Sequence, residues 1–136
     1  MIIGEEDRLA VAAIHGAVPG LVAIYRFGSS VSGEQIPASD VDLAVLATAP
    51  FDPLLRFDIQ ERLASALSQN VDLVDLRAAS PVMAIQVIGK GRLLLDLDGS
   101  ARGAFEDLTY SVYARLNEER RGILDRVAAE GTVYGR

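Results

Sequence analysis

The stretch Phe27-Gly-Ser-Ser-Val-Ser-Gly33, followed after five residues by Ser39-Asp-Val-Asp-Leu-Ala-Val45, decides how this chain is read. It sets a Gly-Ser pair at Gly28 and Ser29, ten intervening residues, and then two carboxylates, Asp40 and Asp42. Side chains alternate across a strand, so Asp40 and Asp42 project to one side while Val41 and Leu43 point to the other, into a core. Either half of the pattern alone reads as structure: a Gly-Ser pair as a turn, Asp-x-Asp as a solvated strand end. Together, at this spacing and with a near-continuous apolar strand directly after, they point to chemistry.

The two carboxylates share one site. At an effective dielectric of 20, unit charges about 5 Å apart repel by roughly 3 kcal/mol, so a bare pair tends to hold a proton or spread apart. A divalent cation removes that cost. Magnesium takes hard oxygen ligands and is typically held by one or two carboxylates plus substrate phosphates, which is what Asp40 and Asp42 offer beside a nucleoside triphosphate. Gly28 lacks a Cβ and lets backbone approach a ligand closely; Ser29 adds a hydroxyl and an N–H where phosphates would lie.

Working outward, the pattern predicts a helix from Glu5 to Ala17, with acids in its first turn and an apolar face marked by Leu9, Ala13 and Ile14, ended by Val18-Pro-Gly20. Leu21 to Phe27 reads as a strand and Val41 to Leu46 as a second, apolar enough to be covered on both faces. Asp52 and Pro53 start a helix with Leu55, Ile59, Leu63 and Leu67 every fourth residue, expected to close at Asn70. A strand from Val71 to Leu76 follows. Ser80 and Pro81 repeat the cap-plus-proline start for a helix carrying Val87 and Ile88, with Gly89 and Gly91 expected to stop it before a strand from Arg92 to Leu95. Ser100 to about Ala129 has the pattern of one long amphipathic helix with Phe105, Leu108, Val112, Leu116, Ile123 and Val127 on a stripe, and Gly122 as a place to bend. The expected fold is a single α/β domain over residues 1–136, a mixed sheet flanked by helices.

Composition narrows the function. A chain of 136 residues buries about 68–70% of its unfolded surface, enough for a core without disulfides, and there is no cysteine. With 13 basic and 19 acidic residues the net charge is −6, and no basic block is long enough to track a phosphate backbone, which argues against polymerase or RNA-tailing roles. No signal-type segment and no apolar run of about 18 residues is present, so a cytoplasmic protein is expected. His15 reads as a partly exposed structural histidine, and Asp96 and Asp98 as strand-end and turn residues.

With these residues in hand, the string Gly28-Ser-Ser-Val-Ser-Gly33…Ser39-Asp-Val-Asp-Leu-Ala-Val resembles the signature of minimal nucleotidyltransferases in the polymerase β-like superfamily, and most resembles the MntA-type antitoxins. Val71-Asp-Leu-Val-Asp-Leu76, Ser80-Pro-Val-Met, Gly91-Arg-Leu-Leu-Leu and the terminal helix extend the likeness over nearly the whole chain. The resemblance implies a third carboxylate from a later strand. The family's acid directly precedes Leu-Val, which selects Asp72, and leaves Asp75 as a surface residue or a support for the site. It further implies Gly28, Ser29 and Ser39 at the nucleotide, Asp40, Asp42 and Asp72 around two Mg2+ ions, and in-line displacement at the α-phosphate of ATP with loss of pyrophosphate. Many relatives carry Arg just after the Gly-Ser pair; this loop has no basic residue.

The implied function is that of an antitoxin that transfers AMP from ATP to a tyrosine of a HepT-type toxin, an all-helical HEPN nuclease. A chain of this size is expected to leave no room for a second domain that holds the acceptor, which suits an acceptor that is itself a protein. Two alternatives stay open: an antitoxin with the same fold that neutralises by binding alone, and a small-molecule nucleotidyltransferase of aminoglycoside type that borrows its second half from a dimer mate or a helical partner, so a homo-oligomer or a hetero-complex is open as well.

Overall fold

A strand with apolar residues at nearly every position must be covered on both faces, and Val41–Ala47 (β2) is: all its residues but Asp42 are buried. The computed structural model describes residues 4–28 and 41–130. Leu21–Phe27 (β1) runs antiparallel to β2, Val71–Asp75 (β3) runs parallel to β2, and Arg92–Asp96 (β4) runs antiparallel to β1. The order is β3-β2-β1-β4, a four-stranded mixed sheet as expected.

Helices cover both faces. On one lie Glu5–His15 (α1) and Pro53–Leu67 (α2), which place Ala10, Ile14, Ile59 and Leu63 against Val41, Leu43, Val45, Val71 and Leu73. On the other lie Pro81–Lys90 (α3) and Gly99–Glu130 (α4), whose Ala84, Val87 and Phe105 pack on Val22, Tyr25, Ala44, Leu46 and Leu76. Each fully buried Leu or Ile contributes about 1.5–3 kcal/mol through removal of its side chain from water.

The cap-plus-proline starts form as predicted. Asp52 accepts from the Leu54 N–H at 2.9 Å and Ser80 from the Met83 N–H at 3.1 Å, each satisfying a donor the first turn would otherwise leave orphaned, an effect of about 1 kcal/mol. Asp98 does the same for α4 through the Ala101 N–H.

Several boundaries differ from the periodicity. Helix α2 closes at Ser68, which adopts a left-handed φ of 53°, rather than at Asn70. Gly89 lies inside α3, which ends at Gly91. Gly122 does not interrupt α4, since a single glycine weakens a helix by only about 1 kcal/mol. The buried face of α1 is Asp7, Ala10 and Ile14, with Leu9 and Ala13 exposed. Only the first half of the α4 stripe packs on the sheet: Phe105 is buried, whereas Leu108, Leu116 and Ile123 are exposed. No helix among the described residues is long and apolar enough to cross a membrane.

Candidate active site

The site is assembled at one end of the sheet, where β1 finishes and β2 and β3 begin. Asp42 is the register partner of Phe27 on β1 and of Asp72 on β3. Because Val41 and Leu43 pack toward α1 and α2 while Ala44 and Leu46 pack toward α3 and α4, alternation turns Asp42 to the α3/α4 side. The same parity turns Asp72 to that side, since Val71 and Leu73 pack the other way. Two carboxylates on adjacent, in-register strands stand about 4.8 Å apart at the backbone. Asp42 is partly buried and Asp72 exposed.

Gly28 closes the end of β1 with φ of +92°, a conformation that L side chains rarely adopt. A Cβ there would run into the Asp42 carboxylate, lying 3.1 Å from its Cγ. The space that glycine leaves open is therefore filled by the carboxylate itself, so Gly28, read from the sequence as access for a ligand, also seats Asp42.

Asp75, three residues beyond Asp72, faces the opposite way and is buried. Its carboxylate accepts from the Phe51 N–H at 3.0 Å and the Arg77 N–H at 3.1 Å, tying the β2–α2 connection to the turn after β3. It is neither a surface residue nor near Asp42; parity alone sends it to the other side of the sheet. His15 is exposed. Asp96 ends β4 and pairs with Arg102.

Sequence reasoning missed a charge cluster behind this end of the sheet. Arg26 points toward α1, where its Nη1 lies 2.7 Å from Asp7 Oδ1 and 2.8 Å from Glu6 Oε1; Arg92 Nη2, from the neighbouring strand, reaches Asp7 Oδ2 at 2.9 Å. Asp7 is 4% exposed, so this is an ion pair held out of water. The signal in the sequence was an arginine inside the otherwise apolar run Leu21–Phe27, which a strand tolerates only where it finds counter-charge. On the other face Tyr25 donates to Glu106 at 2.7 Å, and Arg102 holds Glu106 from the same helix. Burial first, then the Glu106 carboxylate, pushes the Tyr25 hydroxyl above its usual pKa.

Ser29, Gly33, Ser39 and Asp40 lie outside the described residues. Among the described residues no three His, Cys, Asp or Glu side chains gather as a cation site. The donor set does suit a hard divalent ion, since Asp42 and Asp72 present carboxylate oxygens side by side on one face.

The polymerase beta nucleotidyltransferase family model matches residues 11–100. The chain is 43% identical over 125 residues to the protein adenylyltransferase MntA of Shewanella oneidensis, covering 92% of this chain and 88% of that protein. A solved toxin–antitoxin structure with AMP-PNP superposes with a TM-score of 0.80 at 38% identity, covering 92% of this chain and 99% of the other. A complex of tri-AMPylated Shewanella oneidensis HEPN toxin with MNT antitoxin gives 0.75 at 36% identity, covering 90% of this chain and 96% of the other.

Proposed function

The chain belongs to the polymerase beta nucleotidyltransferase family, and we propose that it is the antitoxin of a toxin–antitoxin pair, a cytoplasmic protein adenylyltransferase that moves AMP from ATP to a tyrosine of a HepT-type HEPN toxin. The observation that carries the reading is the in-register pairing of Asp42 with Asp72 on one face, beside the Gly28 turn, in a chain this similar to an adenylyltransferase. Its likeness to antitoxin structures solved with AMP-PNP and with an AMPylated toxin supports both donor and acceptor.

In this reading Gly28, Ser29 and Ser39 hold the triphosphate while Asp40, Asp42 and Asp72 form the carboxylate set for Mg2+. Two bound Mg2+ ions would neutralise charge on the phosphates and make pyrophosphate a better leaving group. The chain's own contribution is placement. Gly28 lets the Asp42 carboxylate sit against the backbone, and the parallel register sets Asp72 next to it. Asp72 accepts the proton of the acceptor hydroxyl as its oxygen attacks the α-phosphorus; the bond from the α-phosphorus to the bridging oxygen breaks and pyrophosphate leaves with the electron pair. The toxin gains an anionic phosphodiester and a bulky base, which oppose RNA entry by charge and volume.

The test is intact-mass spectrometry of a HepT-type toxin incubated with ATP, magnesium and either the wild-type chain or Asp42→Asn. One or more AMP masses are expected with wild type and a loss of about 10³-fold in rate with the variant, as for removal of a group that stabilises transition-state charge. A binding-only antitoxin is the second reading, favoured by the absence of a basic residue directly after Gly28-Ser29. It predicts no mass gain, a stable complex, and neutralisation that survives Asp42→Asn.

A further inference from the structure

A triphosphate carries close to four negative charges, and the loop after Gly28 brings none of the opposite sign: Gly28-Ser-Ser-Val-Ser-Gly33 lacks a basic residue. Beside the Mg2+ ions of the proposed function, a basic side chain for the phosphate tail would come from elsewhere in the chain. At this end of the sheet, Arg26 and Arg92 are both committed to Asp7 on the α1 side, away from Asp42. Arg8 also rides on α1. Arg102 is at the far end of β4 with Asp96, and Arg77 is at the far end of β2, donating from Nε to the Ala47 carbonyl. One described basic residue near the site remains on the right face. Lys90, the chain's single lysine, is the last residue of α3, exposed, and without a hydrogen bond or ion pair among the described residues.

Its position follows from the packing. Gly91 ends α3 directly against β1: a Cβ at this glycine would sit 3.1 Å from the Arg26 carbonyl, one residue before Phe27, the register partner of Asp42. Helix α3 lies on the face to which Asp42 and Asp72 turn. The end of α3 therefore lies against β1, the strand next to β2 and its Asp42, at the same end of the sheet.

We propose that Lys90 supplies, from the end of α3, the positive charge for the β- and γ-phosphates of the nucleotide that the Gly-Ser loop lacks. The assignment rests on the nucleotidyltransferase reading and makes Lys90 specific for the triphosphate tail: it meets the part of ATP that departs as pyrophosphate and leaves the AMP portion to other groups. As a flexible point charge, lysine suits a moving, departing phosphate. The competing account is that Lys90 only offsets the negative end of the α3 dipole. That account predicts no selectivity between nucleotides.

Calorimetric titration of the full chain with magnesium and either AMP-PNP or AMP separates the two. Lys90→Ala and Lys90→Gln are expected to weaken AMP-PNP binding by about tenfold or more, as for loss of a charged hydrogen bond. AMP affinity should stay within about twofold, and Lys90→Arg should recover most of the AMP-PNP affinity. Equal weakening for both nucleotides, or no weakening for either, overturns the assignment. Wild type that binds AMP-PNP yet transfers no AMP to a toxin sinks the functional reading and leaves the role of Lys90 to be decided by these affinities.

Discussion

The two sides of β3 treat their aspartates in opposite ways. Toward α1 and α2, Asp7 is held by two arginines and Asp75 by two backbone N–H groups, both out of water. Toward α3 and α4, Asp72 is exposed and has no hydrogen bond or ion pair among the described residues. Asp72 and Asp75 belong to one five-residue strand, so neither strand propensity nor local composition separates them; parity and burial do. A carboxylate satisfied inside the chain contributes to the fold. In the proposed function, one turned to solvent beside a second carboxylate serves the nucleotide and its metal.

The largest effect expected on this contrast comes from its buried side. Asp7→Ala leaves Arg26 and Arg92 facing each other without their shared counter-charge, and should lower unfolding free energy by about 3–5 kcal/mol, measured by urea denaturation. A loss under about 1 kcal/mol would mean that Glu6 and water take over and that the cluster is not a structural anchor. Next is the pair on β3. Asp72→Asn should cut AMP transfer by about 10²-fold or more with unchanged stability, whereas Asp75→Asn should cost about 1–3 kcal/mol in stability through its weakened contacts to Phe51 and Arg77. If the two variants exchange phenotypes, the division of the sheet into a structural and a chemical face is wrong.

The smallest effect concerns Tyr25, a buried hydroxyl on the α3/α4 face. Its pKa is raised in the fold above the ordinary 10.0, so the unfolded chain loses this proton first. The associated stability is fully present below pH 10 and is lost as pH rises through the window above it. Tyr25→Phe should cost about 1 kcal/mol at neutral pH, and the gap between wild type and variant should shrink above pH 10 in thermal melts. A gap that stays constant with pH would remove Tyr25 as its source.

Much of this protein was legible along the chain because the determinants are short-range. Alternation fixed the facing of residues in Val41–Ala47, proline and a capping oxygen fixed the starts of α2 and α3, and the Gly-Ser and Asp-x-Asp spacing identified the family. The apolar stripe of α4 predicted the helix and not its packing, since periodicity specifies an amphipathic face without saying what covers it.

What the sequence by itself determined is the set of elements, the mixed α/β class, and the order of a Gly-Ser pair and then Asp40 and Asp42 along the chain. Tertiary structure alone decided which carboxylates meet. Asp42 and Asp72 are thirty residues apart and become neighbours only through the parallel register of β2 and β3; Asp7 becomes a hub only because β1 and β4 bring Arg26 and Arg92 side by side. Local patterns fix backbone geometry within a turn or two, whereas electrostatic partnership depends on distances that only long-range strand pairing sets.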